Sequence, residues 1–195
     1  MRGPLSIAAR LGRRLRRRDE GAMVVEAVLM LPLLIWAFAG SWVFFDAFRA
    51  KATNARAAYT IGDALSRESD YITSTYLNSL HSLQQFLVVD GRVPRIRISV
   101  FAYDAAQDLY TVRWSKARGT GIPELTDTML AEIRDELPDM PDRRVATLIE
   151  TWVDYMPLFD VGLAPFTFED RAVTQLRFAN QLCFSATASL DDRLC

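Results

Sequence analysis

Residues 21–45 read GAMVVEAVLMLPLLIWAFAGSWVFF, and this apolar segment decides how the rest of the chain is arranged. Its last nineteen residues, Ala27–Phe45, carry no charge. At about 1.5 Å of rise per residue, a helix of that length spans roughly 28 Å, which matches the hydrocarbon core of a bilayer. The segment therefore predicts a single transmembrane helix.

The twenty residues before this segment are strongly basic. They contain seven arginines and two acids, whereas residues 21–195 contain sixteen cations and twenty-two anions. Because positive residues in short flanks stay on the cytoplasmic side of a membrane, the sequence predicts a cytoplasmic N-terminus and a C-terminal domain on the other side. The mildly acidic balance of that domain argues against nucleic acid as a partner.

The apolar segment admits three interpretations. In the first, it is a secretory signal cleaved after Ala37-Phe38-Ala39 and before Gly40, although the apolar run continues through Phe45. In the second, it is a plain membrane anchor, and the carboxylate of Glu26 extends to the cytoplasmic interface. In the third, Gly21 and Glu26 act together as a motif for processing and assembly.

The third interpretation supplies a partner for a carboxylate inside an apolar helix. Cleavage after Gly21 would give Ala22 a new α-amino group, whose ordinary pKa of about 8 leaves it largely protonated at neutral pH. The Glu26 carboxylate of an adjacent, axially staggered copy could pair with this amine and so offset the desolvation of both charges. Glycine at the cut also lets the backbone lie extended in a narrow protease cleft.

These residues resemble the N-terminus of TadE/TadG-like proteins of tight-adherence (Flp, type IVc) pilus systems. The resemblance rests on Arg17-Arg18-Asp19-Glu20-Gly21, Ala22-Met23-Val24-Val25-Glu26 and Leu31-Pro32-Leu33-Leu34, with looser similarity at Trp114-Ser115 and residues 149–159 and 175–179. Some members of that family are processed by a dedicated prepilin peptidase, which cuts after the glycine, and the glutamate follows the cut by five residues. The resemblance therefore implies cleavage between Gly21 and Ala22. It also implies that Glu26 corresponds to the glutamate that follows the cut in the family.

The resemblance also implies a pseudopilin or minor pilin with a pilin-like α+β fold. Such a protein is expected in the bacterial inner membrane, with its C-terminal domain in the periplasm or, after assembly, in an extracellular pilus. Its expected partners are the lipid bilayer, other pilin or pseudopilin subunits, the pilus assembly platform and a prepilin peptidase. The alternative is an uncleaved, membrane-anchored subunit of another envelope or secretion machine.

Helical periodicity continues beyond the apolar segment. Apolar residues recur at steps of three or four, which predicts an amphipathic helix to about Leu65 with this apolar face: Phe45, Phe48, Ala52, Ala55 and Tyr59. A break at residues 67–70, with Ser69 or Asp70 as a candidate N-cap, precedes a second predicted helix over residues 71–87.

After Asp90-Gly91 the period changes from about 3.6 to 2. In residues 95–103, Ile96, Ile98 and Val100 alternate with Arg95, Arg97 and Ser99, and residues 109–116 alternate likewise, which predicts a hairpin. The later pattern predicts a short helix over residues 123–137 and a third strand over residues 144–155. It then predicts a loop over residues 157–170 and a last strand over residues 172–178, with a continuation near residues 182–184.

The resulting organisation is α+β with an antiparallel sheet. It comprises a basic cytoplasmic leader (1–20), a transmembrane helix (21–45), a periplasmic helical spine (46–90) and a periplasmic sheet domain (91–195). Both cysteines, Cys183 and Cys195, lie in the last thirteen residues. They are a candidate disulfide in an oxidising compartment, or else one buried thiol and one free terminal thiol.

The sequence shows no pattern that favours catalysis. His81 is the single histidine, no CxxC pair supplies zinc ligands, and no glycine-rich phosphate loop is present. The acidic pairs near Glu136 and at Glu169-Asp170 are typical of a solvated surface. We therefore expect no catalytic, metal-binding or cofactor-binding residues, and a protein that is not an enzyme.

Overall fold

The computed structural model describes residues 19–88, 92–189 and 191–195, with side chains from residue 23 onward. The chain divides into two compact units. One contains the described residues up to Phe45 together with Leu158–Leu163, and the other contains Asp46–Pro157 and Ala164–Cys195. Helix α1, Asp19–Ser66, runs through the end of the first unit into the second. The basic leader predicted over residues 1–20 lies almost wholly outside the described residues.

The first unit contains the apolar half of α1. Within the described part of the chain, one helix is long and apolar enough to cross a membrane, and it runs over Met23–Ser66. Its most apolar stretch is entirely unburied. Pro32 lies inside this stretch without ending the helix.

The second half of α1 packs against the sheet mainly through alanines, with Ile61 and Leu65 nearer its C-terminal end. The buried positions repeat at steps of three and four, as the amphipathic pattern requires: Ala47, Ala50, Asn54, Ala57, Ala58, Ile61 and Leu65. The apolar face named from the sequence is a different one and does not pack on the sheet. Its largest members, Phe45, Phe48 and Tyr59, are 78%, 70% and 64% exposed.

Gly62 marks the point where α1 approaches the sheet most tightly in its packed face. A Cβ at this position would lie 2.6 Å from Thr174 Oγ1 and 3.4 Å from Ile149 Cδ1. The helix backbone thus approaches the sheet more closely than a large side chain allows. Ile61 and Leu65 pack beside this contact, whereas the aromatic residues Phe45, Phe48 and Tyr59 lie on the opposite face of α1.

A short parallel pair of strands connects the end of α1 to the C-terminus. Strand β1, Ile72–Thr73, pairs with β6, Phe184–Ser185. Helix α2 then covers Ser74–Leu87, and Thr73 Oγ1 accepts its capping hydrogen bond from Tyr76 N. The predicted helix is confirmed, but the predicted cap at Ser69 or Asp70 was wrong, because the strand pairing of residues 72–73 delays the start of the helix.

The main sheet has four antiparallel strands in the order β3-β2-β4-β5. Their bounds are Pro94–Asp104 for β2, Leu109–Arg118 for β3, Val145–Tyr155 for β4 and Phe166–Gln175 for β5. The predicted hairpin and third strand are confirmed. The described structure is therefore α+β with a small antiparallel sheet and a long apolar N-terminal helix.

The last long strand begins earlier than predicted. Strand β5 starts at Phe166, inside the predicted loop, and ends at Gln175 rather than at residue 178. Its first residues pair with the end of β4, and the rings of Phe166 and Phe168 pack on Tyr155. Between β3 and β4, the predicted helix is shortened to α3, Asp127–Glu132, and a 3₁₀ turn, Arg134–Glu136.

Both faces of the sheet are covered. Helices α1 and α2 pack on one face around Ile98 and Ile149. On the other face lies a second apolar cluster: Phe101, Leu125, Leu130, Leu137, Met140, Ala146 and Leu148. Because the second face is also covered, Arg97 and Ser99 are buried, although their alternation with apolar residues predicted a polar face.

Candidate functional site

The residues of the candidate processing motif lie in the first turns of α1. Gly21 and Ala22 have helical backbone, and Glu26 is exposed one turn further along. Among the side chains that the structure describes, no cation lies within ion-pair distance of Glu26. A protease that cuts an extended backbone would therefore require the helix to unwind at Gly21.

A second feature of α1 is the exposed apolar stripe formed by Phe45, Phe48, Ala52, Ala55 and Tyr59. Within the sheet domain, Phe48 and Tyr59 are largely exposed, Ala52 is exposed and Ala55 is half-buried. The stripe follows directly on the unburied apolar half of the same helix. Its spacing suits the packing of another helix along this face.

The sequence did not reveal a buried ion pair in the centre of the sheet. Arg97 and Glu150 are register partners on β2 and β4, and Glu150 is fully buried. Arg97 Nε lies 2.6 Å from Glu150 Oε2, and Arg97 Nη2 lies 2.8 Å from Oε1. Arg97 also donates to the Pro123 carbonyl and lies over the Trp152 ring, so its guanidinium is well satisfied.

Arg171 extends this ion pair to the surface. It is the β5 register partner of Glu150, and its Nε donates to Glu150 Oε1 at 3.3 Å. Its two terminal nitrogens bind Glu136 and Glu169. Burial opposes its charge, but the hydrogen bond to Glu136 and the neighbouring carboxylates raise the pKa of Arg171 overall. Glu136 and Glu169, predicted as a solvated surface, therefore hold a partly buried arginine.

The arrangement of these charges favours a structural role. Glu150 is occupied by two arginines, so its carboxylate has no free position facing an open cleft.

A pocket of about 400 Å³ lies beside the network and is lined by Tyr59, Glu136, Leu137, Pro138, Leu148, Arg171 and Val173. In the described residues, no group of three or more His, Cys, Asp or Glu could hold a metal ion. His81 Nε2 lies 3.0 Å from the Pro94 carbonyl oxygen.

The C-terminal tail is tied to the domain at three points. A disulfide joins Cys183 to Cys195, whose Cα atoms are 4.4 Å apart. Phe184 and Leu194 exchange two backbone hydrogen bonds of 2.8 Å. The Asp192 carboxylate accepts hydrogen bonds from Ser185 and Thr187, which lower its pKa.

Charge reappears in α1 at Asp46, immediately after the uncharged segment. The Asp46 carboxylate binds Arg92 Nη2 at 3.0 Å and also accepts a hydrogen bond from the Tyr155 hydroxyl. The Arg92 guanidinium lies 5.1 Å from the centre of the Tyr155 ring. Burial, followed by the negative charge of Asp46, raises the pKa of Tyr155. Tyr155, the last residue of β4, is thus joined to Asp46, the first charged residue after the apolar segment.

Together these features define an α+β protein with a long N-terminal helix whose apolar first half is unburied. Comparisons with protein-family models, with curated proteins and with solved structures find no match to this chain.

Proposed function

We propose that this protein is a pseudopilin-like structural or assembly component of a tight-adherence (type IVc) pilus. It is held in the inner membrane by the apolar half of α1, with a cytoplasmic N-terminus and a periplasmic sheet domain. It acts by helix–helix association with other pilin or pseudopilin subunits and with the assembly platform, and it performs no catalysis.

The exposed apolar stripe of α1 is the observation that carries this proposal. A helix that served only as an anchor would require no apolar face beyond the membrane. Here Phe48 and Tyr59 stay exposed on the domain although the opposite face of the same helix is well packed. An apolar stripe that continues the membrane segment supports lateral packing against a second helix of the same kind.

Glu26 supports the same proposal from within the apolar segment. An ionisable residue in a membrane helix is costly and marks a functional contact by default. In the proposed assembly, its carboxylate binds the Ala22 amine of a neighbouring subunit after cleavage at Gly21. This contact sets the axial register between the two helices.

The proposal is tested by substitution of Glu26 in cells that assemble the pilus. Glu26→Gln and Glu26→Ala should reduce pilus output and copurification with the major pilin, because the amine of the neighbouring subunit loses its counter-charge. Glu132→Gln is the matched control, since it removes an exposed acid on α3, away from the processing motif, and should leave assembly intact. Unchanged assembly in both Glu26 variants would overturn the register mechanism.

A second experiment tests the stripe. Phe48→Ser and Tyr59→Ser should each weaken copurification with other subunits while the protein remains folded in the membrane. Phe86→Ser is the control, because Phe86 is 80% exposed but lies on α2. If all three variants copurify equally well, the stripe is not an association surface.

One observation favours the alternative of an uncleaved anchor in another envelope machine. The Gly21–Ala22 bond lies in helical backbone, whereas a protease cleft requires an extended chain. In that case the protein would retain Met1, and Glu26 would only extend to the cytoplasmic interface.

A further inference from the structure

The loop between β4 and β5 is apolar and strongly exposed. Residues 156–165 read MPLFDVGLAP, in which Asp160 is the single charged residue. Met156 and Leu158 are 77% and 74% exposed, and Phe159 is 46% exposed. Water-exposed loops are usually polar, so a loop of this composition indicates contact with an apolar phase.

The tip of this loop has a defined turn. The Asp160 carboxylate accepts a hydrogen bond of 3.3 Å from Gly162 N. Gly162 has φ of +91°, in the left-handed region that glycine adopts without strain. The single charge of the loop is therefore used to form its turn, and the apolar side chains lie on either side of it.

The position of the loop identifies the apolar phase. Leu158–Leu163 belong to the same compact unit as the apolar part of α1 that ends at Phe45. The loop follows Tyr155, which binds Asp46, the first charge after the membrane segment. At about 3.5 Å per residue, the chain from Tyr155 to Phe159 reaches at most roughly 14 Å, which exceeds the thickness of one interfacial layer of a bilayer.

We propose that the β4–β5 loop inserts Leu158 and Phe159 into the outer interfacial region of the bilayer that the apolar half of α1 crosses. The partner is lipid at the boundary between headgroups and acyl chains. The inference rests on the membrane-anchored part of the proposed function but not on pilus assembly. A helix and a loop together give the domain two contacts with the membrane, which restricts its tilt.

Spin labelling of the full chain in lipid nanodiscs tests this proposal. Because Cys183 and Cys195 are joined in a disulfide, a cysteine introduced by Leu158→Cys provides a unique free thiol. For each label we measure the ratio of its collisions with oxygen to its collisions with a water-soluble nickel chelate. We expect this ratio to be several-fold higher at position 158 than at the control position. The control is Phe178→Cys, because Phe178 is 72% exposed and follows Arg177, which pairs with Asp63 near the far end of α1.

A third label separates failure of the loop from failure of the anchor. Val28→Cys, within the apolar segment, should favour oxygen. If Val28 favours oxygen but Leu158 behaves like Phe178, the loop proposal is overturned and the anchor stands. If Leu158 is shielded from both reagents, the loop contacts protein rather than lipid, which also overturns the proposal. If Val28 itself favours the nickel chelate, the membrane anchor fails and the loop proposal fails with it.

Discussion

Arg97 and Glu150 form a bidentate ion pair across the β2–β4 register, with N–O distances of 2.6 and 2.8 Å and both side chains buried. The geometry satisfies both oxygens of Glu150, and Arg171 adds a third donor. Removing one partner of such a pair leaves an uncompensated charge in the interior. The pair and Arg171 together hold β2, β4 and β5 in register. Substitution within this pair should therefore lower the stability of the fold far more than substitution within an exposed ion pair.

The first prediction concerns this pair. Glu150→Ala should lower the free energy of unfolding by about 3–5 kcal/mol, because Arg97 stays buried without a counter-charge. Asp154→Ala is the control, since the Asp154 carboxylate that pairs with Arg95 is exposed. This substitution should change the free energy of unfolding by about 1 kcal/mol or less. Urea unfolding of the full chain in detergent measures both. Equal effects of the two substitutions would contradict the structural role of Glu150.

The second prediction concerns the close approach of α1 to the sheet. Gly62→Ala should destabilise the protein by about 1–3 kcal/mol, because the new methyl group meets Thr174 Oγ1. Thr174→Ala in the same chain should recover part of this loss. Gly40→Ala is the control, since a Cβ there meets nothing within 4 Å and should improve the helix. Thermal unfolding compares the variants, and a Gly62→Ala protein as stable as the control would disprove the contact.

The third prediction concerns the C-terminal disulfide. Cys195→Ser should lower stability by about 2–3 kcal/mol, since a cross-link over a separation of 12 residues restricts the unfolded chain. A reductant should produce the same decrease in the unaltered protein and none in the variant. Thermal unfolding with and without reductant provides the measurement. A reductant effect of equal size in both proteins would show that it acts elsewhere.

The fourth prediction is a pH dependence. Hydrogen bonds from Ser185 and then Thr187 lower the pKa of Asp192 from its usual 3.8. The stabilisation that the Asp192 carboxylate gives to the fold is therefore complete above pH 3.8, and it is lost as the pH falls through the pKa of the folded state. Asp192→Asn should therefore destabilise the protein at neutral pH. The difference in stability between this variant and the unaltered protein should shrink below pH 3.8. Thermal unfolding from neutral to acidic pH tests this, with Asp191→Asn as the control. A difference that is constant over this range would refute it.

Periodicity in the sequence predicted most elements of the fold but did not identify the face of α1 that packs on the sheet. The pattern gives weight to large apolar residues, so Phe48 and Tyr59 defined the predicted face. The helix instead lies against the sheet through alanines and Gly62, because close packing requires small side chains. The large residues lie outside the core and form the exposed stripe, which we propose as an association surface.

The buried charges were missed for a related reason. Alternation in β2 placed Arg97 and Ser99 together on the polar side of the strand, but the segment between β3 and β4 covers that side of the sheet. A local pattern contains no information about a cover supplied by residues about thirty positions later in the chain. The candidate motif at Gly21, Ala22 and Glu26 depends on a local pattern, and it stays a prediction from the sequence.

The most direct test of the account is the intact mass of the protein purified from membranes. We expect a chain that begins at Ala22, retains the apolar half of α1 and carries the Cys183–Cys195 disulfide. A chain that begins at Met1 would favour the uncleaved anchor. A protein that begins at Gly40 and is found free in the aqueous compartment would contradict the central claim that the apolar helix is retained as the anchor.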